Sequence, residues 1–240
     1  MKHVAILLAL FLSVGSIGRA QSQYEHLKEK AQRFFDNSEW SSANAMYLLM
    51  LEQNPREVNS YAGAAVSYIM AGDTIQALNL IPVAMDNEVS VDSLLSGVKT
   101  LSFSIGHGDL YENYLLGIKK NYPWFSRVAD NYLMQYYSFR QNGPELVRYA
   151  RTMLDGLPDN LNFLRMLAYG LLLTGDNEGA AKIWNKIVTL YPDNYDTVLD
   201  LANFYDASGE RSSALKWMKR ADEMHPTPYV KSRISALSEP

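Results

Sequence analysis

The chain has 240 residues and no cysteine. That absence excludes disulfides, a thiolate nucleophile, cysteine zinc sites and a lipid carried on a cysteine at an export cleavage site. Histidine is scarce too. Only His3, His26, His107 and His225 occur, and no pair has the i, i+4 spacing of a helical zinc site. No serine stands in a G-x-S-x-G context, and no glycine-rich phosphate loop follows a strand pattern. Gly106-His107-Gly108-Asp109 reads as a flexible turn, and neighbouring carboxylates such as Asp222 and Glu223 point apart on a helix. The expectation is therefore no metal, no cofactor and no enzyme. Basic charge is not in surplus. The net charge is -4, with no dense Lys/Arg cluster, so nucleic acid is not an expected partner.

A long apolar run is also missing. The stretch Val4–Val14, apolar apart from Ser13, falls short of the roughly 20 residues that span a bilayer. Lys2 before it and Gly18-Arg19-Ala20 after it complete the pattern of an export signal, with cleavage expected after Ala20. Removal of residues 1–20 takes away Lys2 and Arg19 and no acid, which leaves a mature charge of -6. The expectation is an exported chain, periplasmic or extracellular, with no membrane insertion once the signal is gone. Residues 21–240 form the folded part. With 48% hydrophobic and 20% charged residues, the chain has ample material for a packed core.

What the sequence does contain is a period. Pro55, Pro123, Pro158, Pro192 and Pro226 are separated by 68, 35, 34 and 34 residues, and the proline missing from the first gap would fall at Val89. With repeat starts near 24, 58, 92, 127, 161 and 195, position 8 is Ala31, Ala65, Lys99, Met134, Ala168 and Ala202. Position 20 is Ala43, Ala77, Tyr111, Leu146, Ala180 and Ala214. Positions 11 and 24 carry large residues, among them Phe34, Tyr68, Tyr47 and Trp184. Leu164, Leu167, Ala168 and Leu171 mark one helix face, as do Val198, Leu201, Ala202 and Tyr205. Small residues at 8 and 20 let two antiparallel helices approach, and large ones fill the space beside them. Gly72-Asp73, Gly175-Asp176 and Gly209-Glu210 supply a left-handed helix end and an acid for the next helix start. In the fourth repeat that turn is displaced to Gln141-Asn142-Gly143-Pro144. Each proline stops a second helix.

A helix–turn–helix period of 34 residues with these signature positions resembles the tetratricopeptide repeat family, in an exported bacterial form. Repeats one, two, five and six match well, while three and four depart at positions 8 and 20. The resemblance implies an all-α, right-handed superhelical solenoid of about six repeats. Thr227 to Leu237 adds a capping helix with a polar outer face.

The resemblance also implies that first helices line a concave surface through positions 2, 5, 9, 12 and 13. In repeats four to six those positions are Val128, Asn131, Gln135, Ser138 and Phe139, then Asn162, Arg165, Tyr169, Leu172 and Leu173, then Asp196, Leu199, Asn203, Asp206 and Ala207. Positions 5 and 9 of repeats four to six give Asn131, Gln135, Arg165, Tyr169 and Asn203, expected as one polar row that pairs with the backbone of a bound peptide. Arg165 could take a carboxylate bidentately. Val66, Ile69 and Met70 form an apolar set in repeat two that reads chiefly as inter-repeat packing. Some family members grip a terminal carboxylate with paired Lys and Asn. Here Lys28 is in place, but Gln32 and Gly63 stand where that pattern needs other residues. The expected function is a scaffold that binds a partner protein or peptide through its concave face. The alternative is a structural assembly subunit that uses its convex face or ends, and a hydrolase on a helical array ranks below both.

Overall fold

The computed structural model describes residues 21–239, so the export signal expected at residues 1–20 lies outside the described residues. Every element described is helical. Residues 21–36 form α1, followed by α2 (Trp40–Gln53), α3 (Val58–Met70), α4 (Thr74–Asp86), α5 (Val91–Ser104) and α6 (Gly108–Asn121). A 3₁₀ turn at Pro123–Phe125 leads into α7 (Ser126–Phe139), α8 (Gly143–Gly156), α9 (Leu161–Leu173) and α10 (Asn177–Leu190). The chain ends with α11 (Tyr195–Ala207), α12 (Arg211–Met224) and α13 (Pro228–Ser238). First helices begin at 58, 91, 126, 161 and 195, within one residue of the repeat starts that the prolines predict.

The punctuation works as elementary backbone chemistry requires. Pro55, Pro123, Pro158, Pro192 and Pro226 each stand two residues beyond the end of a second helix. Gly72, Gly106, Gly175 and Gly209 turn the chain between paired helices with φ of 86°, 78°, 80° and 75°. Where glycine is missing, Ser38, Glu88 and Gln141 take the left-handed conformation instead. Gln141, not Gly143, is thus the hinge of the displaced fourth turn, and Gly143 opens α8. Side chains cap the starts of first and second helices alike. Asp73, Asn142 and Asp176 accept from the third residue of second helices, and Ser90, Asn160, Asn194 and Thr227 do so for α5, α9, α11 and α13.

The helices gather into two compact units, the first ending at Asn121 and the second beginning at Tyr122. In the first, α3 packs against α2, α4 and α5 at once, so Ser60 through Ser67 are all buried. Val66 is therefore core, while Ile69 and Met70 are half-buried. Tyr47 lies directly over Gly63, where a Cβ would meet its ring at 2.4 Å. In the third repeat the close approach moves to Gly97, whose position leaves no room for a Cβ beside Ala62, and Lys99 is only half-buried.

In the second unit each helix from α8 to α12 packs on the one before and the one after it. Ala168, Ala180, Ala202 and Ala214 are fully buried at the helix crossings. The fourth repeat buries Met134 and Leu146 at the same register and stacks Tyr137 on Tyr149 with ring centres 5.4 Å apart. α13 closes this end. Val230 and Leu237 enter a core with Val198, Ala202, Ala214, Met218 and Ala221, while Lys231, Ser232, Ser235 and Ala236 face outward.

Candidate functional site

First helices α7, α9 and α11 of the second unit present their polar and apolar residues to one open cleft of about 540 Å³. α9 contributes Asn162, Arg165, Met166, Tyr169 and Leu172 to it. α7 adds Ser138, α11 adds Asp200, Asn203, Phe204 and Ala207, and the Trp184 indole reaches in from α10. Helical geometry explains the convergence. Asn162, Arg165, Met166 and Tyr169 follow 3, 4 and 7 residue spacing, so they share one face of α9, opposite the face that buries Leu164, Leu167, Ala168 and Leu171.

The polar groups divide into engaged and open ones. Arg165 Nη2 pairs with Asp200 Oδ2 across the α9–α11 seam, with about a third of each side chain exposed. Burial raises the Asp200 carboxyl above its ordinary value, Arg165 opposes that rise, and the like charge of Asp196 adds to it. Asn203 Oδ1 accepts from the Tyr229 hydroxyl of α13 at 2.8 Å. Asp206 accepts from Arg233 Nε and Nη2 at 2.9 and 2.5 Å. By contrast, Ser138, Asn162 and Tyr169 make no side-chain hydrogen bond to another described residue, so their polar groups are available to a ligand. Trp184 is 6% exposed, and its Nε1–H is buried without an acceptor among the described residues.

Of the polar row read from the sequence, the cleft brings together Arg165, Tyr169 and Asn203. Asn131 and Gln135, half-buried and exposed on α7, do not line it; Ser138, nearer the end of that helix, does. The row is thus shorter than expected, and Arg165 already holds a carboxylate of its own chain. Ser138, Asn162, Leu172 and Ala207 stand at positions where the repeat register places groove residues. Met166, Trp184, Asp200 and Phe204 do not. Asp200 stands at position 6, outside the register of lining residues, and its opposite charge 35 residues after Arg165 is the one signal that marks it as a neighbour in the next repeat. Trp184 stands at position 24, where the register places core residues, and the structure gives it both roles.

A smaller cleft of about 280 Å³ uses the same register in the first unit, with Lys28 and Gln32 from α1, Asn59 and Ala62 from α3 and Thr100 from α5. Among the described residues no group of three or more His, Asp or Glu is placed to hold a metal ion. No described helix is long and apolar enough to cross a membrane.

Residues 171–237 match the tetratricopeptide repeat family. No curated protein matches the sequence. Among solved structures, the chain is similar to one in the APC/C hetero-tetramer Cut9–Hcn1, at 12% identity and a TM-score of 0.50 over 86% of this chain; it spans only 41% of that one. It is also similar to a tetratricopeptide repeat protein from Parabacteroides merdae (15% identity, TM-score 0.43, 90% of this chain and 99% of that one). A third similar structure is pilF of Pseudomonas aeruginosa (12% identity, TM-score 0.46, 90% and 98%). The helix pairs, their left-handed turns and the matched segment together give the chain the fold of a tetratricopeptide-type helical solenoid.

Proposed function

We propose that the chain is a non-catalytic scaffold, exported from the cell, that holds a segment of a partner protein in the cleft of its second unit. The observation that carries this reading is the cleft itself. Residues that the repeat register assigns to a binding face converge there around open polar groups and an apolar floor of Met166, Leu172, Trp184 and Phe204. Such a mixture, largely apolar with a few placed polar groups, is the composition of a recognition site. An extended peptide has unpaired N–H and C=O groups, and Ser138, Asn162 and Tyr169 offer partners for them.

The test is capture from an envelope extract with the purified protein as bait, using the parent and Ala207→Trp. Ala207 is exposed at the end of α11, so tryptophan there obstructs the cleft without entering the core. A partner retained by the parent and lost by the variant, at equal helicity and melting temperature, supports the reading. A partner retained equally by both contradicts it.

One observation favours a second reading, assembly through the outer face. Position 26 of the first two repeats carries Leu49 and Val83, 40% and 47% exposed, whereas repeats four to six carry Thr152, Lys186 and Arg220 there. Leu49→Glu with Val83→Glu would abolish capture under this reading and leave it intact under the first.

A further inference from the structure

We infer that the cleft of the second unit recognises a partner segment that presents a large apolar side chain beside a lysine or arginine. This rests on the reading of the cleft as a binding site and names the chemistry it selects.

The apolar requirement comes from the floor. Met166, Leu172, Trp184 and Phe204 meet in an open cleft of about 540 Å³, room for a bulky side chain together with the backbone that carries it. An all-polar segment would leave that surface wet and gain little from it.

The basic requirement comes from the charges. Arg165 is the cleft's own cation, and Asp200 already holds it. One turn earlier on the same face of α11 stands Asp196, with no cation paired to it among the described residues and its charge felt at Asp200. Asp196 stands exposed beside the cleft lining, so two carboxylates lie near one guanidinium, and only Asp200 is paired with it. A ligand acid would have to displace Asp200 from Arg165 and then sit beside two negative charges. A ligand base meets the surplus carboxylate with nothing to displace. The neighbouring pair Asp206–Arg233 is already matched and leaves this balance unchanged. The recognition expected here is therefore opposite in sign to a grip on an acidic tail.

The experiment measures fluorescence polarisation of fluorescein-labelled Gly-Ser-Lys-Phe-Lys-Ser-Gly against the full chain. The matched peptides carry Glu-Phe-Glu or Lys-Ser-Lys at the centre. The Lys-Phe-Lys peptide is expected to bind about tenfold or more tighter than either. Asp196→Asn should reduce that preference several-fold. Asp200→Asn, which frees Arg165, should move it toward Glu-Phe-Glu. Ala207→Trp should abolish binding. If Glu-Phe-Glu binds the parent as well as Lys-Phe-Lys and Ala207→Trp blocks both, the inference falls while the cleft remains the binding site. If Ala207→Trp leaves peptide binding intact, the cleft reading falls as well. Failure of every peptide to bind at about 1 mM overturns the inference. So does a dimer of the chain alone that Ala207→Trp dissolves, since the occupant is then a second copy.

Discussion

Single residues in this chain reveal their roles through size. Ala180 and Ala202 have no exposed surface because another helix lies against each of them. Leucine at either position should cost about 1–3 kcal/mol by overpacking. Thermal melting of each variant measures this, and an unchanged midpoint would mean that the crossing lies elsewhere. Charge is informative at Asp200. Its carboxyl is raised above the ordinary value of 3.8, first by burial, so the folded chain binds that proton more readily than the unfolded one. The resulting stability is fully present below about 3.8 and is lost as pH rises through the raised value. Compared with Asp200→Asn, the parent should therefore gain melting temperature on acidification across the lower carboxylate range. A parent that loses ground to the variant over that range would contradict the assignment. The buried alanines were legible from the sequence because the register repeats. The Arg165–Asp200 pair is less legible, because position 6 lies outside the register of lining residues.

Helices and turns were the most legible scale. A proline cannot donate the backbone hydrogen bond that a helix interior needs, so five prolines located five helix ends to within two residues. The turns at Ser38, Glu88 and Gln141 were harder to read. A left-handed residue without glycine costs only on the order of 1 kcal/mol, which helix packing easily outweighs. The sequence therefore need not advertise it. The third and fourth repeats were obscure for a related reason. Lys99, Tyr111, Met134 and Leu146 stand where the register leads one to expect alanine, and the close contacts fall instead at Gly97 in one repeat and at a stacked tyrosine pair in the other. The terminal helix gives a direct test at this scale. Truncation after Pro226 removes Val230 and Leu237 from the core, the Tyr229–Asn203 hydrogen bond and the Arg233–Asp206 pair. The loss should be about 3 kcal/mol or more, read as a lower urea midpoint, with association of the uncovered end at higher protein concentration. An unchanged midpoint would show that α13 is dispensable.

At the scale of the whole molecule, each of the two units stacks helix pairs so that first helices line one face, and each has a cleft on that face. The larger cleft was foreshadowed by Arg165, Tyr169 and Asn203, since equivalent positions of successive repeats become neighbours. Its floor was not, since Trp184 and Phe204 serve the core and the cleft at the same time. The central claim is that this cleft is where a partner protein sits, and site-specific photo-crosslinking in the native cell tests it most directly. A photoreactive phenylalanine analogue is placed at Ala207, on the cleft, or at Leu190, exposed at the end of α10 and outside the cleft. The account predicts a discrete adduct with another protein from position 207 and none from position 190. An adduct from 190 with none from 207 would contradict it.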